Sequence, residues 1–283
     1  MSSLIHPSAL IDASAELGRD VEVGPYTVIG PGCKIGDGTK LASHVVLESN
    51  VTLGKNCRVS PGAVLGGDPQ DHSYKNEPSF VVVGDNTVIR EYVTINRATG
   101  EGSVTKVGDD CMLMAYTHLA HNVTLGNQIN LANGVQLAGY VEVGDGVFMS
   151  SMCIIHQFVK IGRLSIVAGL SGSRQDIPPF SMSDGRPVVV VGINRIGLKR
   201  VGLNPQQRDN IKQAFQLLFF SSMNQQEAVE AVREKIQSDP NQIDPNVEEL
   251  LDFVVSSKRG IHRASGESVR RFLESSPVTA EVL

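Results

Sequence analysis

The feature that most constrains this chain is a six-residue period in its aliphatic side chains. Every sixth residue from Ile5 to Leu65 is aliphatic. The same phase returns at Val83 and then runs from Val107 to Val167. Neither an α-helix nor an ordinary strand repeats in this way. A short strand followed by a corner does, so the spacing predicts a parallel β-helix whose aliphatic side chains point into a triangular prism.

A second set of inward positions lies four residues after each aliphatic and must hold mostly small side chains. All four cysteines fall in this set, at Cys33, Cys57, Cys111 and Cys153. A thiol that acts as a nucleophile or a metal ligand needs access to solvent. We therefore interpret the cysteines as small core residues.

Two stretches lose the repeat, and the chain ends in a different pattern. Residues 66–79 and 96–106 are polar and predict loops that project from the prism, where functional residues are often found. Beyond Gly172, helix-start signals follow at Asn204-Pro205, Asn224 with Glu227, and Asp244-Pro245. We predict a mainly β chain with a β-helix domain over residues 1–190, a small C-terminal α-helical domain over 191–263, and a flexible tail over 264–283.

Composition excludes several classes of protein. A formal net charge of -5 argues against a general nucleic-acid binder. The sequence contains no apolar run long enough to span a membrane and no basic segment followed by an apolar one at its start, which a secretory signal would need. Four cysteines among 283 residues are no disulfide framework. We expect a cytoplasmic protein.

The spacing of the coils predicts that three histidines lie close together on the outside of the prism. A coil of three hexapeptides stacks residues eighteen apart at about 4.8 Å. Gly139 then lies over His121, with Gln157 above it, and His118 and His156 fall in neighbouring columns. None of these histidines is in an inward phase, so the sequence predicts a polar patch on the outer surface.

A histidine beside an unobstructed backbone N–H has the elements of an acyl-transfer site. The imidazole can act as general base towards a hydroxyl, and the N–H can stabilise the tetrahedral oxyanion. We interpret His121 as the candidate base and Gly139 as the candidate oxyanion donor. A metal site is disfavoured because the cysteines point inward and His118 and His121 do not lie on a helix. A metal site formed by histidines of different subunits remains an open alternative.

An ordered set of motifs resembles a known family. The motifs are Asp68-Pro69-Gln70-Asp71, His118-Leu119-Ala120-His121-Asn122, Leu137-Ala138-Gly139, His156-Gln157-Phe158, Gln175-Asp176-Ile177-Pro178-Pro179 and Gly197-Leu198-Lys199-Arg200. They resemble the UDP-N-acetylglucosamine O-acyltransferases of lipid A biosynthesis, over nearly the whole chain. The resemblance implies a left-handed parallel β-helix of hexapeptide repeats followed by a small C-terminal helical domain. It also implies a homotrimer with active sites between neighbouring subunits.

The resemblance further implies a reaction and its residues. An (R)-3-hydroxyacyl group passes from acyl carrier protein to the glucosamine 3-position of UDP-N-acetylglucosamine, without a cofactor or metal. His121 matches the general base and Gly139 the oxyanion donor. Positions that match contacts to the sugar, the donor or the nucleotide are Asp71, His118, His156, Gln157, Asn194 and Arg200. Gly169 matches a gauge of acyl-chain length, and a glycine there predicts a long acyl group.

Five positions depart from the family pattern. Asn122 stands where an aspartate is frequent and provides no charge to stabilise an imidazolium. Ser73, Tyr140, Ile196 and Val201 stand where lysine, histidine, glutamate and arginine are usual. A related nucleotide sugar, including one with a 3-amino group, therefore remains open as the acceptor.

Other interpretations remain in competition. The N-acyltransferase of the same pathway carries an extra N-terminal uridine-binding domain, for which a repeat starting at Ile5 is expected to leave no room. Smaller acetyltransferases usually lack the helical region. A γ-carbonic-anhydrase-like metalloenzyme would contain zinc, and a non-catalytic trimeric scaffold would show no turnover with acyl carrier protein substrates.

Overall fold

A computed structural model describes residues 4–236, 244–264 and 266. Strands two to six residues long form three sheets, which are the walls of a triangular prism. The first wall contains Leu4–Ile5, Glu22–Val23, Lys40–Leu41, Arg58–Val59, Val88–Ile89, Met112–Leu113, Asn130–Leu131, Phe148–Met149, Ile166–Val167, Ser181–Gly185 and Val188–Ile193. The second contains Leu10–Ile11, Val28–Ile29, Val46–Leu47, Val64–Gly67, Thr94–Asn96, His118–Leu119, Gln136–Leu137, Ile154–Ile155 and Gly172–Ser173. The third contains Glu16–Leu17, Lys34–Ile35, Val51–Leu53, Phe80–Val83, Val104–Val107, Thr124–Leu125, Glu142–Val143 and Lys160–Ile161.

The pairing register confirms the predicted coil. His118 pairs in parallel with Gln136, eighteen residues on. The offset is thirty residues across the first loop, where Val64 pairs with Thr94, and twenty-four across the second, where Thr94 pairs with His118. The loops thus insert twelve and six residues into coils that otherwise continue. The predicted fold, a left-handed parallel β-helix followed by helices, is confirmed.

Both projecting loops are shorter than the sequence suggested. The predicted bounds were 66–79 and 96–106, whereas the residues outside the strands are 68–79 and 97–103. Residues at the predicted loop ends still pair with neighbouring strands. The side chains of these residues do not follow the repeat. Their backbone groups still pair with neighbouring strands, because unpaired backbone groups would lose hydrogen bonds.

The prism interior is a single apolar cluster that extends from Val21 to Val188. Hydroxyl groups at the small inward positions donate to backbone carbonyls, as Thr27 Oγ1 does to Ala42 O at 2.7 Å. All four cysteine side chains are buried there, and burial raises the pKa of Cys153 to about 11. A thiol with so high a pKa is not a nucleophile at neutral pH.

Within the described residues, four helices follow the prism: α1 (Arg195–Arg200), α2 (Pro205–Phe220), α3 (Gln225–Ile236) and α4 (Pro245–Ser256). The predicted start signals stand at the starts of α2, α3 and α4, and Asn204 forms a capping box with Gln207 at α2. The short α1 was not predicted, because six residues are too few to show a helical period. No helix in the described part of the chain is both long and apolar enough to cross a membrane.

A hairpin joins the prism to the helices. Its strands, Ser181–Gly185 and Val188–Ile193, are antiparallel and extend the first wall. Val188 packs in the prism cluster, whereas Val190 packs in a second cluster with the helices. The predicted boundary at residue 190 therefore falls inside a strand that serves both clusters, and the division into two domains stays a prediction.

After α4 the chain returns to the prism. Asp176 forms a parallel bridge with Ile261, and its carboxylate accepts a hydrogen bond from the Ser257 hydroxyl at 2.6 Å. Residues 257–263, assigned to the helical domain from the sequence, thus contact the last coil of the β-helix. The predicted flexible tail lies outside the described residues except for positions 264 and 266.

Candidate active site

His121 occupies a corner of the prism, between the second and third walls. The strand His118–Leu119 delivers it to this corner, where Asn122 adopts a left-handed backbone conformation with φ of 60°. The imidazole lies outside the prism interior, yet only 10% of its side chain is exposed. Asp71 of the first loop and Gly139 and Tyr140 of the next coil lie against it, and Thr99 of the second loop contacts its neighbour Asn122.

Gly139 lies against the imidazole, as the stacking arithmetic predicts. A β-carbon at Gly139 would be only 2.5 Å from Cε1 and Nε2 of His121. The space left by the missing side chain is therefore filled by the histidine ring itself. The next amide, Tyr140 N–H, donates to the His121 carbonyl at 3.1 Å, while no hydrogen bond within the described chain uses the Gly139 N–H. Gly139 is itself buried, so its amide would reach a group bound beside the imidazole rather than bulk solvent.

Asn122 determines which nitrogen of His121 carries the proton. The Thr99 backbone N–H donates to Asn122 Oδ1 at 2.9 Å, and Asn122 Nδ2 donates to the Thr99 carbonyl at 3.0 Å. These two bonds fix the orientation of the amide, because a backbone N–H can only donate. Since Oδ1 also lies 2.9 Å from His121 Nδ1, Nδ1 must be the donor. In the neutral ring Nε2 is then unprotonated and can accept a proton.

Asp71 brings a negative charge from the first loop to this nitrogen. Its Oδ2 lies 4.0 Å from His121 Nε2. The Ser73 backbone N–H, followed by the Ser73 hydroxyl, lowers the pKa of the Asp71 carboxyl, and His121 contributes in the same direction. The carboxylate is thus ionised at neutral pH and stands opposite the atom that would become positively charged.

Aromatic rings form one side of the site. Tyr140 meets His121 edge-on, with ring centroids 5.3 Å apart, and stacks on Phe158 at 4.8 Å. A groove of about 730 Å³ begins at Asn122 and Tyr140 and runs between the third wall and α4. The rings restrict the orientation of the imidazole. They form no hydrogen bond with its Nε2 in the described residues.

Two further predicted histidines lie in different surroundings. His118 Nδ1 lies 2.7 Å from the Thr94 hydroxyl, and burial lowers the pKa of this histidine. His156 is exposed, and its Nδ1 accepts a hydrogen bond from Arg259 Nη2 at 3.0 Å. The Gln157 carbonyl oxygen also lies 3.3 Å from this Nδ1. Gln157, beside it, is also exposed.

The predicted nucleotide contacts are on the helical side of the molecule. Asn194 is buried at the start of α1, where its side chain accepts from Gly197 N–H and donates to the Leu164 carbonyl, both at 2.8 Å. Arg200, the last residue of α1, is exposed. Neither residue contacts His121 within the described chain, so a single subunit does not bring all the predicted site residues together.

Gly169 lies on the exposed surface and is not required by the backbone. Its φ is not in the left-handed region, and a β-carbon there would meet Ser151 O at 3.4 Å, an ordinary contact. The position can therefore accept a side chain without strain, unlike Gly139.

Comparison with known proteins decides the family. A family model described as "Udp N-acetylglucosamine O-acyltransferase; Domain 2" matches residues 176–262, and one described as the GMPPB C-terminal domain matches residues 5–99. The chain is 42% identical to the acyl-[acyl-carrier-protein]–UDP-N-acetylglucosamine O-acyltransferase of Gloeothece citriformis, over 72% of this chain and 73% of that protein. For the protein of the same name in Synechocystis the identity is 44%, and the match spans 62% of this chain and 64% of that protein. The solved UDP-N-acetylglucosamine acyltransferase of Francisella novicida superposes with a TM-score of 0.88 at 36% identity, covering 94% of this chain and 96% of that one.

The chain belongs to the UDP-N-acetylglucosamine O-acyltransferase family. The departure from the family pattern at Asn122 now has a structural meaning. The residue adds no charge, but its hydrogen bonds to Thr99 hold the His121 ring in one orientation. The negative charge near the imidazole comes instead from Asp71.

Sequence reasoning missed several residues of the candidate site. Thr94 was not placed beside His118, because the eighteen-residue rule fails across an insertion of six residues. Thr99 and Arg97 belong to a loop without periodicity, and nothing in the sequence indicated their partners. Arg259 reaches His156 from 103 residues away, and no sequence signal connects the two.

Within residues 4–236, 244–264 and 266, no group of three or more His, Cys, Asp or Glu side chains is arranged to hold a metal ion.

Proposed function

We propose that this chain transfers an (R)-3-hydroxyacyl group from acyl carrier protein to the 3-hydroxyl of the glucosamine of UDP-N-acetylglucosamine. The names of the relatives give an acyl carrier protein as the donor and UDP-N-acetylglucosamine as the acceptor. The 3-hydroxyacyl group and the 3-position come from the family resemblance. The observation that carries the assignment is the corner at His121. An unprotonated Nε2, an ionised carboxylate 4.0 Å away and an unused backbone N–H meet there.

His121 Nε2 acts as the general base. It takes the proton of the acceptor hydroxyl as that oxygen attacks the carbonyl carbon of the acyl thioester. The developing oxyanion accepts a hydrogen bond from the Gly139 N–H. When the tetrahedral intermediate collapses, the carbon–sulfur bond breaks and the leaving thiolate receives the proton from the imidazolium. The products are the acylated sugar nucleotide and the free thiol of the carrier.

Two neighbours support the base in different ways. Asn122 keeps Nδ1 protonated and the ring oriented throughout the cycle. The Asp71 carboxylate favours the imidazolium by its charge and can accept a hydrogen bond from a sugar hydroxyl. Asp71, which matches the family pattern, therefore provides a negative charge near Nε2, whereas Asn122 provides orientation alone.

Substrate contacts are assigned on the family resemblance. His118, His156 and Gln157 would contact the acyl donor and the sugar on the prism side. Asn194 would contact the nucleotide through the lone pair and amide proton left by its capping bonds. The exposed guanidinium of Arg200 suits the diphosphate, which it can bind with two parallel hydrogen bonds.

A homotrimer would unite the two sets of residues. One corner of the prism presents an exposed column: Tyr26, Tyr92, Tyr116, Met152 and Leu170 are each 55–74% exposed. Exposed apolar side chains grouped along one corner are typical of protein–protein contacts. A second copy covering this column would hide its rings and could bring α1 of one subunit towards His121 of another. A cytoplasmic location stays a prediction.

Product analysis tests the proposal. The purified protein is offered a set of 3-hydroxyacyl carrier proteins with UDP-N-acetylglucosamine or its 3-amino analogue, and the products are weighed by mass spectrometry. We expect an alkali-labile ester on the 3-hydroxyl. An alkali-stable amide formed only on the amino analogue would favour the 3-amino acceptor. Absence of any acylated sugar, together with bound zinc in the protein, would favour the metalloenzyme alternative.

A further inference from the structure

The second loop begins with a buried arginine that the mechanism above does not use. Arg97 follows the strand Thr94–Asn96, and only 10% of its side chain is exposed. A buried guanidinium is costly unless its donors are paired. Its partners therefore indicate which part of the molecule it supports.

The Arg97 guanidinium contacts the first loop and the strand end before it. Nη1 donates to the Gly66 carbonyl at 2.7 Å and to the Ser49 hydroxyl. Nη2 donates to the Tyr74 hydroxyl at 3.1 Å and to the Asp68 carboxylate. These partners lie 23 to 48 residues away in the sequence, so one side chain joins distant segments.

Two of these bonds hold the first loop on either side of Asp71. Asp68 precedes Asp71 by three residues, and Tyr74 follows it by three. The structure shows no strand within residues 68–79, so backbone pairing with a wall does not set the course of this loop. The distance of 4.0 Å between Asp71 and His121 then depends on side-chain bonds such as those of Arg97.

The same stretch of chain also orients the imidazole. Thr99, two residues after Arg97, makes both hydrogen bonds that fix Asn122, and Asn122 in turn holds Nδ1 of His121. Residues 97–99 therefore hold both the loop that contains the Asp71 carboxylate and the Asn122 amide that orients His121.

We propose that Arg97 is a positioning residue for acyl transfer: its buried guanidinium ties Asp68 to Tyr74 and so holds Asp71 beside His121. This role rests on the proposed function of His121. Arginine suits the position because its planar fork presents several donors in a fixed geometry. The ammonium of a lysine keeps the charge. It cannot donate both to Ser49 and Gly66 and to Asp68 and Tyr74, as the two Nη atoms of the guanidinium do.

The test measures Arg97→Lys in two backgrounds, the wild type and Asp71→Ala. If Arg97 acts through Asp71, Arg97→Lys should lower kcat/KM by about tenfold in the wild type. In the Asp71→Ala background the same substitution should lower it by less than about twofold. Equal losses in both backgrounds would overturn the proposal. Arg163→Lys is the matched control: Arg163 is also partly buried and binds Glu249, and its effect should be the same in both backgrounds.

Hydrogen exchange provides a readout that needs no substrate. Arg97→Lys should accelerate amide exchange in residues 68–79 and leave residues 112–167 unchanged. Unchanged exchange in the loop would overturn the proposal. A wild-type protein without turnover would instead overturn the proposed function, and exchange alone would decide whether Arg97 holds the loop.

A milder variant covers the case in which Arg97→Lys does not fold. Tyr74→Phe removes one bond to the guanidinium and keeps the ring. We expect the same pattern, a loss of kcat/KM that depends on Asp71 and faster exchange in the loop, at a smaller size. No change in either measurement would overturn the proposal.

Discussion

The regular coils and the two inserted loops lie side by side but are held by different forces. In the coils, inward residues such as Leu119 and Leu137 are fully buried, and the backbone groups pair from coil to coil. In the loops, the Ser73 backbone N–H donates to the Asp71 carboxylate and the Thr99 backbone N–H donates to Asn122 Oδ1, so single bonds between a side chain and the backbone hold these residues. The coils hold their shape through many equivalent contacts, whereas the loops depend on a few that nothing duplicates.

This difference predicts two kinds of damage. A substitution in the coil interior should lower the free energy of unfolding while the folded molecules keep their activity. A substitution at the loop side of the site should lower activity while the coils keep their stability.

Removing the candidate base should have the largest effect. His121→Ala is expected to lower kcat by 10²–10⁴-fold, the usual contribution of a general base. Its thermal unfolding should remain close to that of the wild type. His72→Ala, which changes an exposed histidine one residue after Asp71, is the control and should keep full turnover. Near wild-type turnover in His121→Ala would exclude this histidine as the base.

Truncating a coil residue should have the opposite profile. Leu41 is buried in the prism, 3% exposed, on a wall that does not form the His121 corner. Leu41→Ala should reduce the free energy of unfolding by about 2–5 kcal/mol. Lys40→Ala, in the same strand, removes only an exposed ion pair with Glu22 and should cost about 0–1 kcal/mol. Denaturant titration measures both, and equal costs would contradict the inward phase of the repeat.

Gly169→Met tests a role that rests on the family resemblance. The backbone and surroundings accept a side chain here, so stability should be unchanged. If the position limits the acyl chain, the preference should move to shorter chains, by tens-fold for a few methylenes at about 0.8 kcal/mol each. Competition between acyl carrier proteins of different chain length measures the shift. An unchanged preference in a stable variant would remove Gly169 from the site.

The smallest expected effect is on the pH dependence of stability. Burial lowers the pKa of His118 in the folded chain, so the unfolded chain binds its proton first as the pH falls. The stability from a neutral His118 is complete above the unfolded pKa of about 6.5 and is lost as the pH falls towards the lower folded value. His118→Gln should therefore flatten the acid side of the stability curve. Parallel curves for the variant and the wild type would contradict this.

The coils could be predicted from the sequence because their determinants repeat. The six-residue phase gives each inward residue the same environment, and the eighteen-residue coil places Gly139 against His121 without further information. The arithmetic did not show that the ring itself fills the space over Gly139. That detail depends on the rotamer of one side chain, which periodicity does not determine.

The loops could not be predicted in the same way. The bonds from Thr99 to Asn122 and from Arg97 to Tyr74 join residues that are 23 positions apart and follow no repeat. Arg259 reaches His156 only because residues after α4 return to the last coil. Each of these contacts is a single tertiary event, whereas a repeat provides many copies of the same signal.

The proposed mechanism requires that Asn122, held by Thr99, keeps the proton of the neutral His121 ring on Nδ1. Nitrogen NMR of the protein labelled in its imidazole rings, with His121 assigned by comparison with His121→Gln, observes this directly. At a pH above the histidine range, the account predicts a protonated Nδ1 and an unprotonated Nε2, and a mixture of the two forms in Asn122→Ala. A wild-type ring with its proton on Nε2 would contradict the account, because that nitrogen could not then accept the acceptor's proton.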